Sequence, residues 1–335
     1  MKYPTICLTG GIAQPRRVAR HMPFTGRVIR HSALFSAAAL VLPRSLAAHA
    51  GRPIAPHDLP TAWTLDPIIL ASIALPAWLY FRGTRRLWTH AGKGRGVKRW
   101  QLWCGAAGFT ALSIALISPL GELGGALFSA HMAQHQLLMI VAAPLLVLGA
   151  PMVGAIWAFE KGGRRTIGRI GRQIARSGVW RALTHPVVAW TLHAAAIWFW
   201  HMPRFYEQTL RSELVHGLQH FSFFASAMLF WWSVVNPRDR AAHGYGIGVI
   251  SVFSTAVHGS LLGALMTFAA HPWYPAYAGR VEPWGFTLLE DQQLGGLIMW
   301  VPAGFIYTAA ALMLFAAWLR ALENRPDFPR ARAPA

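Results

Sequence analysis

Histidines are the residues of this chain whose type and spacing could do chemistry. Burying an imidazole in an apolar segment without partners is costly, so histidines inside apolar helices indicate function. Imidazole is also a good ligand for copper, zinc and haem iron. The sequence therefore predicts a buried metal or haem site. Its candidate ligands, all within or at the ends of apolar segments, are His131, His135, His201, His216, His220 and His258.

Two pairs of these histidines share the spacing of about one helical turn. His131 and His135 are four residues apart, as are His216 and His220. This spacing puts each pair on one helix face, about 6 Å apart along the axis. Two such pairs at matching depth indicate a shared site more strongly than one pair does. The alternative is a polar network that hydrogen-bonds across a helical bundle and fixes its packing.

Composition predicts the scaffold that must position these side chains. The chain has 335 residues, of which 54% are hydrophobic and 13% charged. Apolar runs near twenty residues indicate transmembrane helices. We predict an all-α membrane protein with seven transmembrane helices in a single domain, residues 51–335. The spans are about 65–81, 100–119, 128–150, 186–202, 214–235, 246–270 and 290–318.

The net charge of +19 would suggest nucleic acid binding in a soluble protein. Membrane proteins instead gather Lys and Arg in their cytoplasmic loops, so no nucleic acid partner is predicted. The loops 82–99, 160–185 and 236–245 and the C-terminal tail carry 20 of these residues, against 4 on the opposite side. This asymmetry predicts an outer N-terminus and a cytoplasmic C-terminus.

The first 50 residues are typical of a leader. Residues 33–42 form an apolar stretch too short to span a membrane, and it follows Arg27 and Arg30. Ala48-His49-Ala50 then provides an A-x-A pattern, which predicts signal-peptide cleavage before Gly51. The alternative is an uncleaved tail. Cleavage would place the new N-terminus outside, in agreement with the charge asymmetry.

Residue types alone leave the identity of the metal open. Met132, Met202, Met266 and Met299 fall near the histidine layer, and thioether with imidazole suits Cu(I). Zinc would prefer a tetrahedral set with Asp291 as an oxygen ligand. Bis-imidazole haem is possible between two helices. The two cysteines are too few for a thiolate site.

Long, ordered motifs in these segments resemble those of a known family. They are 131–139, 143–151, 201–203 with Tyr206, 216–220, 230–232, 258–259, 262–265, 272–277 and 290–302. At these positions, and over about residues 65–318, the chain resembles the integral-membrane CtaG family of cytochrome c oxidase assembly factors. This is not the single-span copper chaperone that shares the CtaG name.

The resemblance implies a multi-pass protein of the bacterial plasma membrane, the inner membrane in a Gram-negative cell. We expect an assembly factor without enzymatic activity that binds copper at the outer side of the bilayer and delivers it to a cytochrome c oxidase subunit. Two alternatives from other classes are an intramembrane zinc-dependent hydrolase and a b-type haem electron-transfer protein. The sequence does not specify an oligomeric state.

Overall fold

The computed structural model describes residues 54–236 and 242–323, and every regular element in these ranges is helical. The predicted all-α fold is therefore confirmed for this part of the chain. The leader of residues 1–50 and its cleavage before Gly51 lie outside the described residues, so they stay predictions.

Thirteen α-helical segments are described, joined by short turns. They are α1 (Pro67–Ala91), α2 (Arg99–Ile117), α3 (Pro119–Leu123), α4 (Phe128–Gln136), α5 (Ala143–Gly149), α6 (Pro151–Ile156), α7 (Lys161–Arg176), α8 (Gly178–Leu183), α9 (Pro186–His201), α10 (Pro203–Arg211), α11 (Glu213–Val235), α12 (Ala242–Thr267) and α13 (Leu288–Glu323). A π-helical segment (Leu137–Ala142) joins α4 to α5. Three 3₁₀ turns complete the set: Pro56–Thr61, Pro275–Tyr277 and Glu282–Trp284.

Each of the seven predicted spans is helical. Five stretches are long and apolar enough to cross a membrane: Arg99–Ile117, Phe128–Gly149, Glu213–Val235, Tyr245–Thr267 and Leu288–Glu323. The other two predicted spans fall on α1, which contains three arginines, and on α9, which has 16 residues. The multi-pass architecture is thus supported, while the number of seven spans stays a prediction.

Proline fixes the position of His201 at the end of α9. Pro203 lies two residues after the helix end, and the residue before a proline is disfavoured in helical geometry. Met202 accordingly adopts an extended conformation (φ −65°, ψ 128°), which ends α9 at His201 and begins α10 at Pro203. The His201 side chain therefore lies at the same end of the bundle as the first turns of α4 and α11.

Pro144 explains the π-helical segment that follows the first histidine pair. In this segment the Ala143 N–H donates to the Leu138 carbonyl, five residues back. The next bond in that pattern would need an N–H from Pro144, which has none. The indole of Trp231 on α11 donates instead to the freed Met139 carbonyl at 3.0 Å. This contact ties α11 to the helix that carries His131 and His135.

Glycines allow α13 to approach both of its neighbours closely. A Cβ built on Gly296 would lie 2.6 Å from the carbonyl oxygen of Gly263 on α12. A Cβ on Gly295 would overlap the ring of Phe128 at the start of α4. The absence of side chains at these positions places the acidic first turn of α13 directly against α4.

Large apolar side chains project outward from α12 and α13. Phe253, Phe305 and Met313 are 64%, 75% and 67% exposed, respectively. Exposure of this kind on long apolar helices is expected where lipid tails rather than water surround the protein. The two helices therefore present a lipid-facing surface, while Thr255, Asp291 and Gln292 pack inward.

Candidate metal centre

Three imidazoles converge where the first two turns of α4 and α11 meet. One ring nitrogen from each of His131, His216 and His220 lies within 4.8 Å of the others. The ring centroids of His131 are 5.1 Å from His216 and 5.6 Å from His220. His216 and His220 are 4.2 Å apart. We call these three residues the histidine trio.

The spacing of the trio fits a single metal ion. Metal–imidazole bonds of about 2.0–2.1 Å put ring centroids about 5 Å apart around a tetrahedral or trigonal ion. The two distances from His131 match this value, and the pair on α11 is closer by about 1 Å. A small rotation of one imidazole on α11 would complete the arrangement, and three protein ligands would leave one position for an exchanging ligand.

The three histidines of the trio differ in how deeply they are buried. His131 and His220 are buried, with 1% and 6% of their surface exposed, whereas His216 is half-buried. His216 lies in the first turn of α11, nearest the end of the helix. An ion would therefore reach the site from the side of His216.

Two tyrosines fix the tautomer of His131. The Tyr277 hydroxyl donates to the Gly124 carbonyl at 2.9 Å, so its single proton is used there. The Tyr206 hydroxyl lies 2.9 Å from the Tyr277 oxygen and 2.8 Å from His131 Nδ1. His131 Nδ1 also lies 3.3 Å from the Tyr277 oxygen, and all these contacts are satisfied when Tyr206 donates to Tyr277 and His131 Nδ1–H donates to the hydroxyl oxygens. We infer that Nε2 of His131 carries the lone pair, as a metal ligand requires.

Burial keeps both phenols protonated. It raises the pKa of Tyr206 well above its usual value, and the neighbouring Tyr277 phenol adds to this effect. Burial likewise raises the pKa of Tyr277, although the hydrogen bond from Tyr206 partly opposes it. Both phenols therefore stay protonated throughout the physiological pH range, so Tyr206 can donate to Tyr277 while its oxygen accepts from His131.

Asp291 holds the start of α4. Its carboxylate accepts hydrogen bonds from the backbone N–H of Phe128 at 2.6 Å, from the N–H of Ser129 at 3.1 Å and from the Ser129 hydroxyl. A carboxylate at a helix N-terminus satisfies unpaired N–H groups and interacts favourably with the helix dipole. Asp291 thus positions the helix that carries His131, and it is not a member of the trio.

His135 and His201 lie beside the trio. The His135 ring is 4.3 Å from that of His131 and 5.2 Å from that of His220, between centroids. The His201 ring is 6.4 Å from His135, with its Nδ1 2.6 Å from the Ile197 carbonyl. Five of the six predicted histidine ligands are therefore gathered at one end of the bundle, where Asp291 also lies at the start of α4.

His258 lies elsewhere, against Trp190 of α9 with ring centroids 5.9 Å apart. The neighbouring His193, near the middle of α9, has its Nδ1 3.1 Å from the Ser226 hydroxyl. We call His193 and His258 the deep pair. In the described residues the deep pair does not join the trio, so ligation by His258 and Asp291 stays a prediction without support from their placement.

Sequence reasoning missed the roles of Tyr206 and Tyr277. Both residues belong to the motifs quoted above, but apolar periodicity gives no signal for a short segment between spans. Tyr206 is on α10 and Tyr277 ends a 3₁₀ turn between α12 and α13. Both tyrosines lie in connections between long helices, at the end of the bundle where the histidine pairs begin.

Comparison with known proteins identifies the family. Residues 78–321 match the family Caa3_CtaG, described as cytochrome c oxidase caa3 assembly factor. The chain belongs to this family. Family membership confirms the resemblance seen in the sequence and, together with the apolar helices, indicates a multi-pass membrane protein.

Curated relatives are uncharacterized proteins of mycobacteria. The chain is 27% identical over 274 residues to one from Mycobacterium leprae, covering 78% of this chain and 40% of that protein. It is 28% identical over 270 residues to one from Mycobacterium bovis, again covering 78% and 40%. The chain therefore spans about 40% of the length of these relatives. No solved structure matches it.

Proposed function

We propose that this protein binds copper at the histidine trio and delivers it to a cytochrome c oxidase subunit during assembly. Family membership indicates a role in cytochrome c oxidase assembly, and the imidazoles of the trio are suitable copper ligands. The observation that carries the proposal is the convergence of three imidazole nitrogens within 4.8 Å of one another inside a helical bundle. A transfer protein needs a site that is reached from one side and ligands that exchange, and half-buried His216 at the rim meets that need.

The packing of the trio favours an ion over haem. Adjacent imidazole rings are 4.2–5.6 Å apart between centroids, and a porphyrin needs a wide cleft between its two axial ligands. Zinc fits the three ligands equally well. A zinc hydrolase, however, also uses a carboxylate to take a proton from the metal-bound water. The buried carboxylate of Asp291 is instead bonded to the start of α4.

We further propose that the trio faces the outer side of the plasma membrane. The end of the bundle that carries it has Arg204, Arg211 and Arg280, whereas α7 at the other end carries six Lys and Arg residues and no acidic residue. The positive-inside rule puts α7 in the cytoplasm. Reporter fusions in residues 203–213 should be active outside, and fusions in α7 inside. The reverse result would contradict the orientation.

The proposed function is tested by loading the purified full-length protein with Cu(I) without oxygen, desalting it and counting bound metal. The same variants are expressed in a host that lacks its own copy, and oxidase activity is measured in the membranes. His216→Ala should lower copper retention and oxidase activity together, because it removes the most accessible ligand. His90→Ala, an exposed histidine in α1 outside the trio, is the matched control and should change neither.

Two outcomes would contradict the proposal. If His216→Ala leaves copper content unchanged but lowers the amount of folded protein, the histidines form a structural hydrogen-bond network. If the wild-type protein retains zinc in preference to copper and hydrolyses lipid amides, the chain is a hydrolase. Size-exclusion chromatography of each variant separates loss of metal from loss of fold.

A further inference from the structure

His135 and His201 have features of ligands that the trio does not use. His135 is 1% exposed, and neither of its ring nitrogens has a hydrogen-bond partner in the described parts of the chain. A buried imidazole normally satisfies its N–H and its lone pair, so His135 has a ring nitrogen available to ligate an ion. The His135 ring lies one helical turn after that of His131, with 4.3 Å between the ring centroids.

His201 presents its lone pair in a defined direction. A carbonyl oxygen cannot donate, so the contact of 2.6 Å between Nδ1 and the Ile197 carbonyl requires the proton on Nδ1. Nε2 is then the lone-pair nitrogen, and it is buried without a partner among the described residues. The Tyr274 hydroxyl donates to the His201 backbone carbonyl at 2.7 Å, which holds the end of α9 in place.

The rings of His135 and His201 are farther apart than those of the trio, which suits a different coordination geometry. With metal–nitrogen bonds of about 2.0 Å, an ion held linearly between two imidazoles puts their centroids about 6 Å apart. The observed distance is 6.4 Å, with the ring planes inclined by 79°. Linear coordination by two nitrogens is accessible to Cu(I), a filled-shell ion, whereas zinc sites in proteins are tetrahedral.

The surroundings of the pair suit an ion of low charge. The ring of Phe223 packs on both histidines, at 4.6 Å from His135 and 5.9 Å from His201. An apolar wall of this kind excludes water and makes a divalent ion more costly to bury than a monovalent one. The pair therefore discriminates by charge as well as by coordination number.

We propose that His135 and His201 form a second metal site, a two-imidazole site selective for Cu(I), which receives the ion from the trio. This inference rests on the proposed function of the trio. His135 is the residue that links the two sites, because its ring also lies 5.2 Å from that of His220. The ion exchanges one imidazole at a time, from half-buried His216 at the rim to His201 in the interior, without a change in its oxidation state.

The test counts Cu(I) per chain in the purified full-length protein, again without oxygen. Wild type should retain two ions. His201→Ala should retain one, at the trio, and His216→Ala should retain one, at the inner site. His201→Met should restore the second ion, because a thioether ligates Cu(I) but does not replace the hydrogen bond to Ile197. Zn(II), used as a probe alone, should bind once in wild type and once in His201→Ala.

The outcomes separate the two proposals. One ion in wild type that His201→Ala keeps and His216→Ala loses would overturn the second site and leave the proposed function standing. One ion lost in both variants would show a single site shared by all five histidines, which also overturns the second site. Copper retained in every variant would overturn the trio itself. Failure of His201→Met to restore the second ion, in a variant that elutes as wild type does, would show that His201 is structural.

Discussion

The trio and the deep pair are both sets of histidines inside the same bundle, yet they have different surroundings. The trio brings nitrogens from two helices within 4.8 Å of one another. In the deep pair, His193 is fully buried, bonds to the Ser226 hydroxyl and stacks on Phe230 at 5.3 Å. His258 packs instead against Trp190. The trio and the deep pair therefore share residue type and a position inside the bundle. They differ in that only the ring nitrogens of the trio point to a common centre.

The difference follows from where the histidines fall on their helices. Members of the trio are in the first two turns of α4 and α11, where both helices begin at the same end of the bundle. The i, i+4 spacing adds a second imidazole to each helix face. The deep pair consists of single histidines near the middle of α9 and α12. There His193 bonds to a serine hydroxyl, whereas His258 has only a ring contact with Trp190 and no hydrogen bond among the described residues.

The largest effect is expected from a double variant of the trio, compared with a double variant of the deep pair. Replacing His131 and His220 by Ala should weaken copper binding at the trio by at least about 100-fold, since loss of ligands exceeds the 10–100-fold effect of groups that only orient them. The double variant His193→Ala with His258→Ala should retain stoichiometric copper. Chelator competition measures both affinities. Equal losses in the two double variants would remove the distinction between the regions.

Asp291→Asn should have the next largest effect, because it removes the charge that accepts three hydrogen bonds at the start of α4. Hydrogen bonds to charged groups contribute about 1.5–3 kcal/mol, so we expect a lower unfolding temperature together with weaker copper binding. Glu290→Gln is the matched control, since Glu290 is exposed on the same turn. If Asp291→Asn lost copper with no change in thermal stability, Asp291 would be a ligand rather than a cap.

Tyr206→Phe tests whether the trio depends on its hydrogen-bond support. The change removes the acceptor that fixes the Nδ1–H tautomer of His131, so copper affinity should fall about 10–100-fold. Because burial raises the pKa of Tyr206, this contribution should be constant from pH 6 to about pH 9. Tyr307→Phe is the control, a buried tyrosine whose ring stacks on Trp231. An equal loss in the control would assign the effect to general packing.

The smallest effect is expected in the deep pair. Ser226→Ala removes the hydroxyl that bonds to His193 and should cost about 1 kcal/mol of stability. Copper binding and oxidase maturation should stay at wild-type levels. Thermal unfolding and metal content, measured on the same preparation, check both parts. A loss of copper here would show that the deep pair and the trio are coupled.

Sequence periodicity located the helices and the histidine pairs, because both depend on local spacing. The predicted segment 128–150 corresponds to residues Phe128–Gly149, and His201 ends its helix as the following proline predicts. Pro144 frees the Met139 carbonyl locally, but the residue that satisfies this carbonyl, Trp231, is 92 positions away and could not be predicted.

The residues that position the histidines could not be predicted either, because their contacts also join distant parts of the sequence. Asp291 was predicted as a ligand from its type and depth, whereas its contacts with α4 join residues more than 160 positions apart. The hydrogen bonds between Tyr206 and Tyr277 likewise join two connections, 71 positions apart. Contacts of this range are set by how helices pack, and a single sequence carries no periodic signal for them.

X-ray absorption at the copper edge tests the central claim most directly. Wild-type protein loaded with Cu(I) and desalted should show nitrogen neighbours at about 2.0 Å with the outer scattering of imidazole rings. In the variant with both His131 and His220 replaced by Ala, the number of imidazole neighbours per chain should fall. Sulfur neighbours in the wild-type spectrum, or no stoichiometric copper after desalting, would contradict a copper site made by the trio.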